Sequence, residues 1–168
     1  FANTKLMVIG DGDQRPKVEA IIKQLCIEDA VELMGSRFGD EKVALLQQCH
    51  VFVHPSRSDG LPATIVEAAA LGLPSVVSEE TNIGDFITAF DAGHSMKSLD
   101  AKEFYHGLSS IYKRIFFNNE LEQLKENALQ MIEEAFDWNT VLAKLNKLYK
   151  EAYYDKHGLL QQENITAQ

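Results

Sequence analysis

Residues 51–78 read VFVHPSRSDGLPATIVEAAALGLPSVVS. A short apolar run, Val51–Val53, leads through His54 and Pro55 into a polar loop, Ser56-Arg57-Ser58-Asp59-Gly60. An apolar helix follows over Pro62–Leu71 and stops at Gly72, and Ser75–Ser78 is a second short apolar run. Short continuous apolar runs bounded by turn formers are read as strands covered on both faces. A strand, a loop, a helix and another strand joined by short turns form the repeating unit of a parallel sheet.

The same alternation extends outward from this stretch. Lys5–Gly10 reads as a buried strand ending in the turn Gly10-Asp11-Gly12. Residues 14–27 carry Val18, Ile21, Ile22 and Leu25 at helical spacing. Val31–Met34 is a strand ending at Gly35, and Asp40–Cys49 is a helix. On the other side, residues 83–90 predict a short helix and His94–Lys97 a weak last strand. Helices are expected over 100–116, 119–136 and 138–154. The pattern predicts an α/β fold: a Rossmann-like open parallel sheet with helices on both faces, followed by C-terminal helices. Residues 1–156 are read as one domain, and the polar tail 157–168 is expected to fray. In open parallel sheets, ligands bind beyond the carboxyl ends of the strands. That rule directs attention to Gly10–Asp13, Gly35–Gly39, His54–Leu61 and Ser78–Gly84.

Composition narrows the partners. The 168 residues hold 16 basic and 25 acidic side chains, a net charge of −9 spread along the chain. This offers no basic field for nucleic acid or for an anionic membrane surface. No apolar run approaches the ~20 residues of a membrane span. A small phosphorylated ligand stays open, because backbone amides and helix N-termini hold phosphate without net positive charge. Cys26 and Cys49 lie in helix-like stretches without C-x-x-C spacing and read as reduced, packed thiols. His50, His94, His106 and His157 show no metal-ligand spacing, so no metal is expected. Gly10-x-Gly12 lacks the third glycine of a dinucleotide fingerprint, and Arg15 stands in its place. The first residue is Phe1 rather than Met, so a trimmed or excised chain is expected.

Two features carry chemistry. Pro62, read as at or near the first helical position, opens a turn whose free N–H groups belong to Leu61, Ala63 and Thr64. Gly60 permits an unusual backbone angle close to a ligand. The turn is either an anion cradle or an ordinary helix start capped by Ser58 or Asp59. Glu67 sits in a helix read as apolar nearly all round, where a buried carboxylate needs a partner. Arg57, backbone amides or the hydroxyls of a bound sugar could each serve. His54, at a strand end, either contacts a ligand or packs.

Asp59 and Glu67, with seven residues between them, bracket P-S-R-S-D-G and an apolar helix followed by G-L-P and a strand. This region resembles the E-x7-E segment of the retaining nucleotide-sugar glycosyltransferases of family 4, which have the GT-B fold. Lys5–Asp13 is similar to that family's strand ending in G-D-G, Val31–Gly35 to its strand ending in glycine, and Gly72–Ser78 to its G-L-P strand. Phe136-Asp137-Trp138 with Leu142, Leu145, Leu148 and Tyr149 looks like its F-x-W closing helix. The resemblance covers about residues 4–153.

The resemblance implies roles. Asp59, the catalytic candidate, would contact the donor sugar's hydroxyls near the transferred carbon. Glu67 would hold the nucleotide ribose. Amides of Gly60, Leu61, Ala63 and Thr64 would hold the diphosphate. Gly35 and Arg37 would lie near the base, and His54 beside the donor. The substrate would be a nucleotide-diphosphate sugar, with no metal or other cofactor. The acceptor would be a glycan or lipid-linked molecule, as in polysaccharide biosynthesis. The location would be cytoplasmic, with peripheral membrane attachment of the full-length protein compatible.

Two departures from the family pattern stand out. Asp59 replaces the commoner Glu and is one methylene shorter. The family's opening strand and helix, with an Arg and a Lys that clamp the diphosphate, have no counterpart, nor has its acceptor-binding N-terminal domain. The expectation is an N-terminally truncated donor-binding domain, inactive alone. A non-catalytic nucleotide-sugar-binding module and a nucleotide-sugar epimerase on the same fold are the competing readings.

Overall fold

The computed structural model describes residues 4–156. The chain forms two compact units, one ending at Gln48 and one beginning at Cys49.

The first unit contains β1 (Leu6–Ile9), α1 (Arg15–Gln24), β2 (Val31–Gly35) and α2 (Gly39–Leu46). β1 and β2 are parallel, with Leu6 opposite Val31 and Val8 opposite Leu33. A bulge between Val8 and Ile9 then sets Ile9 opposite Gly35. The Gly10 amide donates to the Gly35 carbonyl at 2.9 Å and closes this end of the ladder. Pro16 lies in the first turn of α1, where its missing N–H costs no helical bond.

Lys5–Gly10 is not the fully buried strand that its apolar run predicts. Leu6 is 48% exposed and Val8 37%. Residues two apart share one face of a strand, and a two-stranded ladder leaves that face less covered than a sheet interior does. α1 likewise buries only Ile22, while Val18, Ile21 and Leu25 stay exposed. Cys26 lies beyond α1 with a left-handed φ of 53° and is exposed, rather than helical and packed. Cys49 lies beyond α2, which ends at Leu46; burial pushes its thiol pKa up.

The second unit contains β3 (Phe52–His54), α3 (Ala63–Ala70), β4 (Ser75–Ser78), a 3₁₀ turn (Glu79–Thr81), α4 (Gly84–Ala89) and β5 (Gly93–Met96). α5 (Ala101–Phe116), α6 (Leu121–Met131), a π-helical turn (Ile132–Phe136) and α7 (Trp138–Lys156) follow. The strands run parallel in the order β3-β4-β5. Every residue of central β4 is buried. Its two valines point to opposite faces. Val77 joins Ile65 and Ala69 of α3, Ile87 of α4, and Ala128 and Met131 of α6. Val76 joins Met96, Ile111 and Ile115, with Leu124 of α6 at the same cluster. Helices therefore cover both faces, as the alternation predicts. Among the described residues, the parallel ladders are β1-β2 in the first unit and β3-β4-β5 in the second.

The later helices are fixed by specific polar contacts. Asp100 caps α5, accepting from the Lys102 and Glu103 amides at 2.9 Å each and from Ser98 Oγ at 2.6 Å. These bonds, that of Ser98 foremost, hold its carboxyl below the usual range. Arg114 donates twice to Asp91 at 2.7 Å and once to Glu120 at 2.6 Å, tying the turn before β5 to the α5–α6 junction. The helix predicted over 119–136 turns π-helical at Ile132, and Asp137 caps α7 through the Asn139 and Thr140 amides. Trp138, Leu142, Leu145, Leu148 and Tyr149 of α7 remain exposed. The expected frayed tail from His157 lies outside the described residues.

Gly93 sets a steric test of this packing. Its φ is +152°, and a Cβ there would sit 1.9 Å from the Ser75 carbonyl oxygen in the neighbouring strand. Gly93→Ala is expected to destabilise the protein by ~2 kcal/mol or more. Gly60, with nothing within 4 Å of the same position and no positive φ, should tolerate Ala with little change. Urea midpoints of the two variants check this; equal midpoints would contradict the β4–β5 geometry.

Candidate functional site

The polar loop after β3 is held in place by the turn after β4. The Ser56 amide donates to Ser78 Oγ at 3.0 Å, and Ser78 Oγ donates to the Ser56 carbonyl at 2.6 Å. The Asp59 amide donates to the Glu80 carbonyl at 3.2 Å. Asn82 Nδ2 donates to the Gly60 carbonyl at 3.1 Å. β3 and β4 are adjacent and parallel, so their carboxyl ends lie side by side and the two loops can bond. Thr81 Oγ1, buried, donates to the Ser78 carbonyl at 2.6 Å and tightens the turn.

Asp59 projects from this loop toward the end of β3. Its Oδ2 lies 3.5 Å from His54 Nε2. That nitrogen is buried and makes no hydrogen bond, so the contact is within ion-pair distance without being a directed bond. The imidazole lies nearly parallel to the Phe52 ring, with centroids 6.2 Å apart and an interplanar angle of 12°.

Pro62 is the cap residue of α3, with extended backbone (φ −70°, ψ 114°), directly before the first helical residue Ala63, in keeping with its expected place at or near the helix start. No side chain caps the helix, so neither Ser58 nor Asp59 plays that part. The Ile65 amide bonds the Pro62 carbonyl at 3.0 Å. Ala63 and Thr64, ahead of it, and Leu61 before the cap are exposed. Proline has no side-chain acceptor, which is why the first-turn amides are left to the outside. Gly60 does not use a left-handed angle; the space above it is simply open.

Glu67 is exposed, not buried as expected. Its helix buries Ile65, Ala68 and Ala69, while Ala63, Thr64 and Ala70 face outward. The helix looks apolar all round mainly because alanine fills its outer face, so its carboxylate needs no buried partner. Glu67 follows Thr64 by three residues and Ala63 by four, the spacings that share a helix face. The acid and the open helix start are therefore on one side of α3.

In the first unit, Gly35 and Arg37 lie at the carboxyl end of β2. Gly35 has a φ of +70°, and the position of its absent Cβ is 3.8 Å from Arg15 Nη1 and 3.9 Å from Arg37 Nη1. Arg15 also donates to the Leu33 carbonyl at 3.3 Å and to Glu19 at 2.9 Å. Arg37 Nε lies 3.9 Å from Glu41. A recess of about 430 Å³ is lined by Met34, Arg37, Glu41, Ala44 and Leu45. The structure thus places Gly35 and Arg37 together in one unit, and His54, Asp59, Gly60, Leu61, Ala63, Thr64 and Glu67 in the other. Two groups escape the sequence reading. Arg15 is visible there only as a missing glycine, and Ser78 only as part of a strand end. Among the described residues, no group of three or more His, Cys, Asp or Glu is placed to hold a metal ion.

The chain belongs to the family described as Glycosyl transferases group 1, which matches residues 1–131. It is similar to the N,N'-diacetylbacillosaminyl-diphospho-undecaprenol alpha-1,3-N-acetylgalactosaminyltransferase of Campylobacter jejuni. Identity there is 28% over 144 residues, covering 85% of this chain and 36% of that protein. It is similar also to the amylovoran biosynthesis glycosyltransferase AmsK of Erwinia amylovora, at 33% over 86 residues, covering 48% of this chain and 21% of that one. In fold it matches the crystal structure of Anabaena Alr3699/HepE in complex with UDP-glucose, with a TM-score of 0.73 and 19% identity, covering 90% of this chain and 42% of HepE. The chain thus spans well under half the length of these relatives.

Ser78 tests the loop anchor. Ser78→Ala removes both bonds to the Ser56 backbone and is expected to cost ~1 kcal/mol, because the half-buried Ser56 carbonyl loses its Ser78 donor while the Ser56 amide keeps the His54 carbonyl at 3.1 Å. Amide exchange at Ser56 and Asp59 should accelerate more than at Val76. Unchanged exchange would show that the loop is held by other means.

Proposed function

We propose that this chain is the donor-binding domain of a retaining glycosyltransferase that moves a sugar from a nucleotide-diphosphate sugar to a glycan or lipid-linked acceptor. The observation that carries the proposal is the uncapped start of α3, with Asp59 on the anchored loop before it and Glu67 on the same outward side. The amides of Gly60, Leu61, Ala63 and Thr64 hold the diphosphate. Asp59 accepts from sugar hydroxyls, and Glu67 accepts from the ribose hydroxyls. For the first unit the proposal is separate: Gly35 and Arg37 contact the nucleobase.

The chemistry follows from charge. Transfer breaks the bond between the anomeric carbon and a phosphate oxygen, and the electron pair leaves with the diphosphate. Oriented amides and the positive end of a helix stabilise that growing charge without a metal ion. The sugar becomes oxocarbenium-like, and a carboxylate beside it favours that state. The acceptor hydroxyl oxygen then bonds the anomeric carbon from the face the diphosphate leaves, and its proton passes to the departing diphosphate. A chain of net charge −9 needs such local donors, since it has no positive field to supply. The HepE complex with UDP-glucose and the diphospho-undecaprenol in the Campylobacter enzyme's name support the donor and acceptor classes. None of the described helices is long and apolar enough to cross a membrane, and a cytoplasmic role in polysaccharide biosynthesis completes the proposal.

In the full-length protein, UDP-glucose, GDP-mannose or ADP-glucose should raise the melting temperature, since binding to the native state stabilises it. Glu67→Ala is expected to weaken binding of that nucleotide diphosphate by about tenfold, the loss of one hydrogen-bonded charge. Asp59→Ala should lower kcat far more than nucleotide affinity. No shift with any donor, or wild-type binding and rate in both variants, would overturn the proposal.

A further inference from the structure

We infer that His54 is a positioning residue for the Asp59 carboxylate. The inference rests on the proposed assignment of Asp59 to the donor sugar. His54 ends β3, where its backbone is fixed opposite Val77 in the ladder. Its ring lies nearly parallel to Phe52. Its Nε2 is buried and makes no hydrogen bond, although a carboxylate oxygen stands 3.5 Å away. A buried nitrogen left without a partner is costly, and N–H···O bonds form near 2.9 Å. The gap is therefore about half an ångström. The imidazole is held by strand and ring, and the Asp59 backbone is held by Glu80, so the carboxylate is the group free to turn.

A carboxylate only accepts, so Nε2 must carry the proton in this contact. When the sugar engages Asp59, Oδ2 closes onto Nε2–H and Oδ1 is left for the substrate. The bond selects one orientation of the carboxylate. His54 touches Asp59 rather than the reacting atoms, and its effect falls on rate rather than on donor affinity.

The test uses the full-length protein and whichever of UDP-glucose, GDP-mannose and ADP-glucose shifts its melting temperature most. His54→Ala and His54→Phe are expected to lower kcat by about tenfold, the effect of losing one orienting hydrogen bond, with KM for the donor changed less than twofold. His54→Phe keeps a ring beside Phe52, so its loss is not one of packing. His54→Gln places an amide N–H at the reach of Nε2 and should recover most of the rate. His54→Asn places its amide at the reach of Nδ1 and should not. In an Asp59→Ala background, His54→Ala should cost nothing further. Wild-type kcat in the Ala and Phe variants, equal rates for Gln and Asn, or a full second loss in the Asp59→Ala background overturns the inference while leaving the donor site intact. Wild-type kcat in Asp59→Ala alone overturns the assignment of Asp59 itself, and this inference with it.

Discussion

The site depends on two parallel strands ending side by side. β3 and β4 deliver their carboxyl ends to one edge, and Ser78 at the end of β4 exchanges two hydrogen bonds with the Ser56 backbone. Asn82 and Glu80 add one bond each to Gly60 and Asp59. A loop rich in serine and glycine would otherwise have many conformations. Four bonds to a buried strand end and its turn choose one. Everything proposed for Asp59 and for the opening of α3 follows from that choice.

The second constraint is the burial of β4. Val76 and Val77 are both fully buried, on opposite faces, and the helices that cover them fix the angle at which α3 leaves the loop. Proline at the cap then leaves the first amides without a side-chain acceptor. Serine and aspartate are preferred at that turn; here both residues are present nearby, at positions 58 and 59, and neither caps. Asp59 is turned toward His54 instead. The proposed roles of the helix start and the acid differ accordingly, the one toward an anion and the other toward hydroxyl groups.

Much of this was legible in the sequence. The alternation of short apolar runs with helical stripes placed all five strands, and the strand-end rule pointed to residues 54–61 and 78–84. Burial was less legible. Lys5–Gly10 is as apolar as Ser75–Ser78, yet only the latter is covered on both faces, because cover is a property of neighbours and not of the run itself. Glu67 was misread for a related reason: alanine counts as apolar but does not require burial, so α3 has one core face rather than a buried circumference. Gly60 shows the limit of local rules: glycine permits a positive φ, and this one does not use it. The partners in the loop anchor, Ser78 and Asn82, are more than twenty residues from Ser56 and Gly60 and carry no motif of their own. Arg15 beside Gly35 has the same character.

The central claim is that the opening turn of α3 grips a diphosphate. Its most direct measurement is NMR of the full-length protein with 15N-labelled glycine, leucine, alanine and threonine. Nucleoside diphosphates of uracil, guanine and adenine are added in turn, each against its parent nucleoside. The account predicts that the amides of Gly60, Leu61, Ala63 and Thr64 shift strongly downfield with one diphosphate and scarcely with its nucleoside, as N–H groups do when they donate to an anion. Equal responses to the two, or shifts confined to residues away from this turn, would contradict it.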